Sequence, residues 1–257
     1  MVLSLAKTCI EQIYSTEGVI LKFVGENRFS RVTKVWRAAA RRLALLLLTM
    51  LGALSFPAAA DSLAPATKPT PALDRIMVYG DSLSAAYGLS PAEGWVALLE
   101  EKMKARGVAV VNASISGETS GGGLNRIRAD LTRQKPTIVL LALGANDGLR
   151  GLPLTEMRKN LEGIIKAARA AKARVVIIGI QIPPNFGIDY ATGFRDMYPA
   201  LARQYQLPLV PFLLEGVADK LELFQADRLH PIAAAQPRIL QNVLPAVEKT
   251  LKARAKK

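Results

Sequence analysis

Arg75-Ile76-Met77-Val78-Tyr79-Gly80-Asp81-Ser82-Leu83-Ser84 is the stretch on which the reading of this chain turns. Ile76 to Tyr79 is an unbroken apolar run, the pattern of a strand covered on both faces. Gly80 allows a sharp change of direction, and Asp81 is suited to hydrogen-bond the backbone of the loop that follows. Open parallel sheets bind ligands beyond the carboxyl ends of their strands, so Ser82 falls where a reacting group would sit. Taken alone, Gly-Asp-Ser is equally a plain strand-to-loop turn, and the rest of the chain has to decide.

Working outward, apolar runs and helical periodicities alternate. Strands are predicted at Arg75–Tyr79, Val108–Asn112, Thr137–Leu143, Arg174–Ile180 and Leu207–Val210. Between them Trp95, Leu98, Leu99 and Met103 line one helical face, Met157, Leu161, Ile164, Ile165 and Ala168 a second, and Phe194, Met197, Tyr198, Leu201 and Tyr205 a third. A last helix carries Leu240, Val243, Leu244, Val247 and Leu251, with a kink or break expected at Pro245. Alternating strands and helices give right-handed βαβ units. The prediction is an α/β, three-layer α/β/α flavodoxin-like fold with a five-stranded parallel sheet in the order 2-1-3-4-5, spanning residues 74–253. There is no internal repeat and no sign of a second domain.

Ahead of this domain the sequence changes character. Residues 1–35 show no sustained periodicity and read as disordered or as the product of a start codon placed too far upstream. Residues 36–60 read as a signal peptide: Arg37, Arg41 and Arg42, then the apolar run Leu43–Phe56, then Ala58-Ala59-Ala60. The apolar run is too short to span a bilayer comfortably, so no stable membrane anchor is expected after processing. Cleavage after Ala60 would give a periplasmic or secreted protein starting at Asp61, with residues 61–73 as a Pro/Ala/Thr linker. The chain is formally +13, but residues 1–60 hold eight Lys/Arg against three Asp/Glu, and five of the later basic residues lie between Lys249 and Lys257. That distribution is a solvated tail rather than a basic stripe with interleaved aromatics, so nucleic acid is not expected as a partner. Cys9 is the single cysteine, which excludes an intramolecular disulfide and a cysteine-based zinc site.

Four blocks converge on one rim of the predicted sheet: Ser82 after strand one, Gly117 after strand two, Asn146 after strand three, and Asp227-Arg228-Leu229-His230-Pro231 after strand five. Singly, each has a structural explanation: a turn serine, a glycine needed for positive φ, a turn asparagine, a capping histidine. Together they form an inventory for acyl transfer. A serine needs a base to take its proton, and His230 is the chain's one imidazole. Asp227, three residues earlier, suits the other ring nitrogen. The backbone N–H groups of Ser82 and Gly117 and the Asn146 amide are candidate oxyanion donors. One histidine and no cysteine in the domain leave no ordinary zinc ligand set, and no metal or cofactor is expected. The predicted acyl cleft lies between the loops after strands three and four, with Asp147, Leu149, Ile182, Pro183 and Pro184 as candidate substrate-binding residues.

These blocks resemble the GDSL, or SGNH, hydrolase family, and within it the bacterial periplasmic acyl-CoA thioesterase/protease/lysophospholipase branch, whose members include arylesterases. The similarity runs from about Ile76 to about Leu244, through Gly80-Asp81-Ser82-Leu83-Ser84-Ala85, Val111 to Gly117, Asn146-Asp147-Gly148-Leu149-Arg150-Gly151 and Asp227-x-x-His230-Pro231. The resemblance implies Ser82 as nucleophile, Gly117 and Asn146 in the oxyanion hole, and Asp227 and His230 as its partners. It implies an esterase acting on acyl esters, thioesters or lysophospholipids; the expected state is a monomer, although the sequence itself is silent on assembly. The sequence departs from the family at Gly121-Gly122-Gly123, where a more polar stretch is usual. Those glycines are expected to loosen the start of the next helix and to border the cleft. A carbohydrate acetylesterase would use the same residues, and a non-catalytic lipid or cell-wall binding module would share the fold without needing a base on Ser82. A nucleotide binder would need a phosphate loop, and Ser120-Gly121-Gly122-Gly123 lacks the Gly-x-x-x-x-Gly-Lys pattern.

Overall fold

The computed structural model describes residues 74–255. The upstream extension, signal peptide and linker expected over 1–73 lie outside the described residues. Five strands, β1 (Arg75–Gly80), β2 (Ala109–Asn112), β3 (Ile138–Ala142), β4 (Arg174–Ile178) and β5 (Leu209–Val210), form one parallel sheet in the order β2-β1-β3-β4-β5. Among the described residues six α-helices accompany them: α1 (Trp95–Lys104), α2 (Ser120–Gln134), α3 (Ala145–Leu149), α4 (Leu154–Ala170), α5 (Ile188–Tyr205) and α6 (Gln236–Ala255).

The unbroken apolar runs follow from the layering. Side chains alternate across a strand. Met77 and Tyr79 of β1, Val139 and Leu141 of β3, and Val175 and Ile177 of β4 enter one core with α2, α4 and α5. Their neighbours Ile76, Val78, Ile138, Leu140, Val176 and Ile178 enter a second core with α1 and α6. Both faces of the central strands are therefore buried, and no position selects a polar residue.

Two expectations about local structure are corrected. The strand predicted from Leu207 is only Leu209–Val210, because Pro208 has no N–H to give the ladder; its carbonyl still accepts from Ile177 at 3.0 Å. α6 continues through Pro245 without a break. Ile239, Val243, Val247 and Leu251 on either side of it are buried against the sheet, and that burial outweighs the lost backbone hydrogen bond. Pro199 is accommodated within α5 in the same way, between buried Tyr198 and Leu201.

Candidate active site

Ser82 follows the end of β1 and stands in a loop fixed from several sides. Asp81, fully buried, accepts the Leu83 N–H on Oδ1 at 3.1 Å, and its carbonyl accepts from Ser84 and Ala85. The Trp95 indole donates to the Leu83 carbonyl at 3.1 Å, and Asn112 Nδ2 donates to the Ser84 carbonyl at 2.8 Å. Gly80 serves space rather than the sharp turn expected of it: a Cβ there would lie 2.9 Å from Ser84 Oγ and 3.0 Å from the Ala142 carbonyl oxygen. Burial, with the Asp147 charge adding to it, pushes the Asp81 carboxyl up to about 7 against the opposing hydrogen bond from Leu83.

The loop after β5 brings the imidazole. His230 Nε2 lies 2.8 Å from Ser82 Oγ, and Nδ1 lies 2.6 Å from Asp227 Oδ2. The other oxygen of Asp227 accepts the backbone N–H groups of Leu229 at 2.9 Å and His230 at 3.0 Å. Arg228 makes this possible by taking a left-handed conformation, φ 57°, which folds the next two N–H groups back onto the carboxylate. The hydrogen bond from His230, then those two backbone donors, hold the Asp227 carboxyl down to about 2. An anionic partner on Nδ1 favours the tautomer whose Nε2 lone pair faces Ser82. The Tyr87 ring packs on the imidazole with centroids 4.4 Å apart, and the Gln225 amide donates to the Tyr87 carbonyl at 2.8 Å.

Two further loops supply hydrogen-bond donors. Gly117 has φ +79°, a conformation that strains any residue with a Cβ. Among the described residues no acceptor takes the N–H of Gly117 or of Ser82. Arg150 clips the loop in place by donating to the Gly117 carbonyl at 3.1 Å. Asn146, in the first turn of α3, gives one amide hydrogen to the Glu118 carbonyl at 3.0 Å and keeps the other. Both Gly117 and Asn146 line the same cleft as Ser82 and His230.

Asp147 does not line that cleft. It is 2% exposed, and its two oxygens accept the Ser120 N–H and hydroxyl, with Asn160 Nδ2 donating in turn to Ser120 Oγ at 3.1 Å. One turn of α3 thus places consecutive side chains oppositely, Asn146 toward the cleft and Asp147 into a clamp that joins the loops after β2 and β3.

The cleft encloses about 590 Å³. Leu149, Ile182 and Pro183 line it, and Pro184 begins the short helical turn Pro184–Phe186. The sequence reading does not include four further apolar residues that line it: Phe212, Leu214 and Phe224, from the long segment after β5, and Tyr87. The apolar Phe212-Leu213-Leu214 run was the available signal, but without periodicity it reads as packing alone. Gly121 to Gly123 are not on the cleft wall. They start α2, capped by Thr119 Oγ1, which accepts from Gly122 at 3.2 Å. Among the described residues no three His, Cys, Asp or Glu side chains cluster as metal ligands.

Comparison with known proteins matches this architecture to one group. Residues 78–236 fit the model of the GDSL-like lipase/acylhydrolase family. The chain is 48% identical to the esterase TesA of Pseudomonas aeruginosa over 182 residues, 70% of this chain and 90% of that protein. It is 42% identical to the thioesterase 1/protease 1/lysophospholipase L1 of Escherichia coli K12, over 65% of this chain and 80% of that one. Among solved structures, the crystal structure of TesA superposes with a TM-score of 0.66, covering 68% of this chain and 99% of that one. The psychrotrophic esterase EstA from Pseudoalteromonas, inhibited by monoethylphosphonate, superposes at 0.67 with 43% identity, covering 70% and 99%. With the family model matched from the end of β1 to the start of α6, and relatives covered over most of their length, the chain belongs to the GDSL-like lipase/acylhydrolase family.

Proposed function

We propose that this ester-hydrolysing enzyme is an exported serine esterase that cleaves acyl esters and thioesters through an acyl-enzyme on Ser82. The observation that carries the reading is the continuous relay Asp227–His230–Ser82, at 2.6 and 2.8 Å, opening onto an apolar cleft. Ser82 Oγ attacks the acyl carbon while His230 Nε2 takes its proton. The carbonyl oxygen becomes an oxyanion, received by the N–H groups of Ser82 and Gly117 and the free amide hydrogen of Asn146. Collapse expels the alcohol or thiol, which leaves with the proton from His230. Water then attacks the acyl carbon while giving a proton to His230, and His230 returns that proton to Ser82 Oγ as the Oγ–acyl bond breaks and the carboxylic acid leaves. Asp227 stays ionised throughout and stabilises the imidazolium. The relatives named esterase, arylesterase and thioesterase 1/protease 1/lysophospholipase L1 support the substrate class. The apolar walls favour a longer acyl group over acetyl, and therefore this reading over a carbohydrate acetylesterase.

Export rests on the Arg37 to Ala60 pattern, with a mature protein starting at Asp61, lipids or other acyl esters as the small-molecule substrates, and no metal in the chemistry. The test pairs hydrolysis of p-nitrophenyl butyrate with covalent labelling by a fluorophosphonate. Wild type should hydrolyse the ester in the presence of EDTA and take up one label on Ser82, and Ser82→Ala should do neither. Hydrolysis retained by Ser82→Ala would end the proposal.

A further inference from the structure

Seven large apolar side chains stand exposed among the described residues: Tyr87, Ile115, Leu152, Phe186, Ile188, Leu221 and Leu229. All seven lie in the segments that follow the carboxyl ends of the five strands, with at least one after each strand. The turns at the other end of the sheet expose Arg106, Lys135, Lys172 and Gln206 instead. Scattered exposed apolar residues are ordinary, but their confinement to one rim marks a surface that meets something apolar. This rim is also the mouth of the cleft, since Tyr87 and Leu229 belong to both. Its loops are laced together: Tyr190 Oη donates to the Leu152 carbonyl at 2.7 Å, Arg150 donates to Gly117, and Gln225 to Tyr87.

We infer that this rim docks the enzyme on a zwitterionic lipid surface, so that a lysophospholipid or other aggregated acyl ester passes into the cleft without crossing water. The inference rests on the acyl-esterase reading. Charge selects the kind of surface. Asp189 follows Ile188, Lys220 and Glu222 flank Leu221, and Arg228 precedes Leu229, all of them exposed. Both signs therefore border the apolar tips, which matches a headgroup carrying both a phosphate and a quaternary ammonium. A uniformly anionic surface would be repelled at Asp189 and Glu222, and would be drawn instead to the opposite edge, where Arg169, Lys172 and Lys249 border one depression. Side chains of this size held at the headgroup boundary bind by the apolar area they bury there.

The test uses the full chain with Cys9→Ser and Ser82→Ala, so that one introduced cysteine carries an environment-sensitive fluorophore. Labels at Ile188→Cys and Leu221→Cys should brighten several-fold and shift to the blue on adding phosphatidylcholine vesicles, and a label at Lys172→Cys should not. The probes read the rim itself, whatever else in the chain meets lipid. In the catalytically intact chain, Ile115→Ser/Ile188→Ser/Leu221→Ser should lose about tenfold or more in hydrolysis of lysophosphatidylcholine carried in those vesicles. Its kcat/KM on dissolved p-nitrophenyl butyrate should stay within about twofold of wild type. Silent rim probes, an equal response at position 172, or equal losses on both substrates would overturn the docking surface. A blue shift that needs no vesicles and grows with protein concentration would assign the rim to a second copy of the chain and overturn it as well. Failure of wild type to hydrolyse the dissolved ester, with rim probes still responding to vesicles, would remove the esterase reading and leave the surface standing.

Discussion

Asp227 holds His230 through one oxygen and its own loop through the other, so the two can be separated by substitution. Asp227→Asn keeps the size and can keep the backbone bonds, but loses the charge that selects the tautomer. It should leave Ser82 labelling detectable and lower kcat by about 10⁴, the scale known for this change in a serine triad. Asn146→Ala should lower kcat by about 10²–10³ with a smaller effect on KM, the loss typical of one oxyanion donor; an unchanged kcat in a folded variant would remove Asn146 from the mechanism. Asp81 behaves differently. Its carboxyl titrates near 7 in the fold and near 3.8 in the open chain. Folding therefore keeps a proton that the unfolded chain releases, and stability falls as pH rises from about 4 to about 7, by at most about 1.4 kcal/mol per unit. Asp81→Asn removes that dependence. Urea midpoints at pH 5, 6 and 7 should show the variant gaining on wild type at each step, and a constant difference would mean that Asp81 does not titrate in this window. Ser82, Gly117, Asn146, Asp227 and His230 were all legible as residue types at strand ends. Asp147 was misplaced, because adjacent residues of a one-turn helix face opposite ways and only the Ser120 contact shows which way each points.

Elements were legible wherever burial sets the pattern, and less so where a single contact does. The central strands β1, β3 and β4 could be read from their apolar runs because both faces are covered. The length of β5 and the continuity of α6 through Pro245 depend on packing from distant parts of the chain, which local propensity does not carry. The glycines at the head of α2 make the same point in a form that can be measured. Gly123 faces the core: a Cβ there would lie 2.5 Å from Leu143 Cδ1 and 3.4 Å from Tyr79 Cε1, and the Tyr79 hydroxyl donates to the Gly123 carbonyl at 2.7 Å. Gly121 meets nothing closer than Asn160 Nδ2 at 3.5 Å. Gly123→Ala should cost about 1–3 kcal/mol through overpacking against buried Leu143. Gly121→Ala should be neutral or stabilising by up to about 1 kcal/mol, since the helix gains propensity without a clash. Equal effects in thermal unfolding would show that the three glycines act only through the flexibility expected from sequence, and not through the close approach of α2 to the sheet. Arg126 reinforces that approach, with its guanidinium 4.2 Å over the Tyr79 ring and paired to Glu118 at 2.6 Å and Asp130 at 2.7 Å.

At the scale of the whole molecule, the sheet order decides what a substrate meets. β1 and β3 are central neighbours, so Ser82 and Asn146 emerge side by side, and β5 at the edge sends a long segment back across the mouth of the cleft to deliver His230. That return was legible only as the Asp-x-x-His block. Its apolar passengers Phe212, Leu214 and Phe224 were not, because nothing in their spacing distinguishes a cleft wall from a core. They line the same cleft as Leu149, Ile182, Pro183 and Ser82, so its apolar lining draws on the segment after β5 as well as the loops after β3 and β4. Each methylene a substrate adds inside that channel buries apolar surface worth up to about 0.8 kcal/mol, close to a fourfold gain in kcat/KM if the whole of it is realised in the transition state. Specificity measured with p-nitrophenyl esters from acetyl to palmitoyl should climb over the first carbons and level off where the chain leaves the cleft. Leu149→Ala, which takes part of that lining away, should flatten the climb and spare the shortest esters. Phe212→Ala should do the same from the segment after β5, an effect that a cleft confined to the loops after β3 and β4 would not produce. A preference for acetyl over octanoyl, with both variants indifferent to chain length, would reject the acyl channel and return the carbohydrate acetylesterase as the better reading of the same relay.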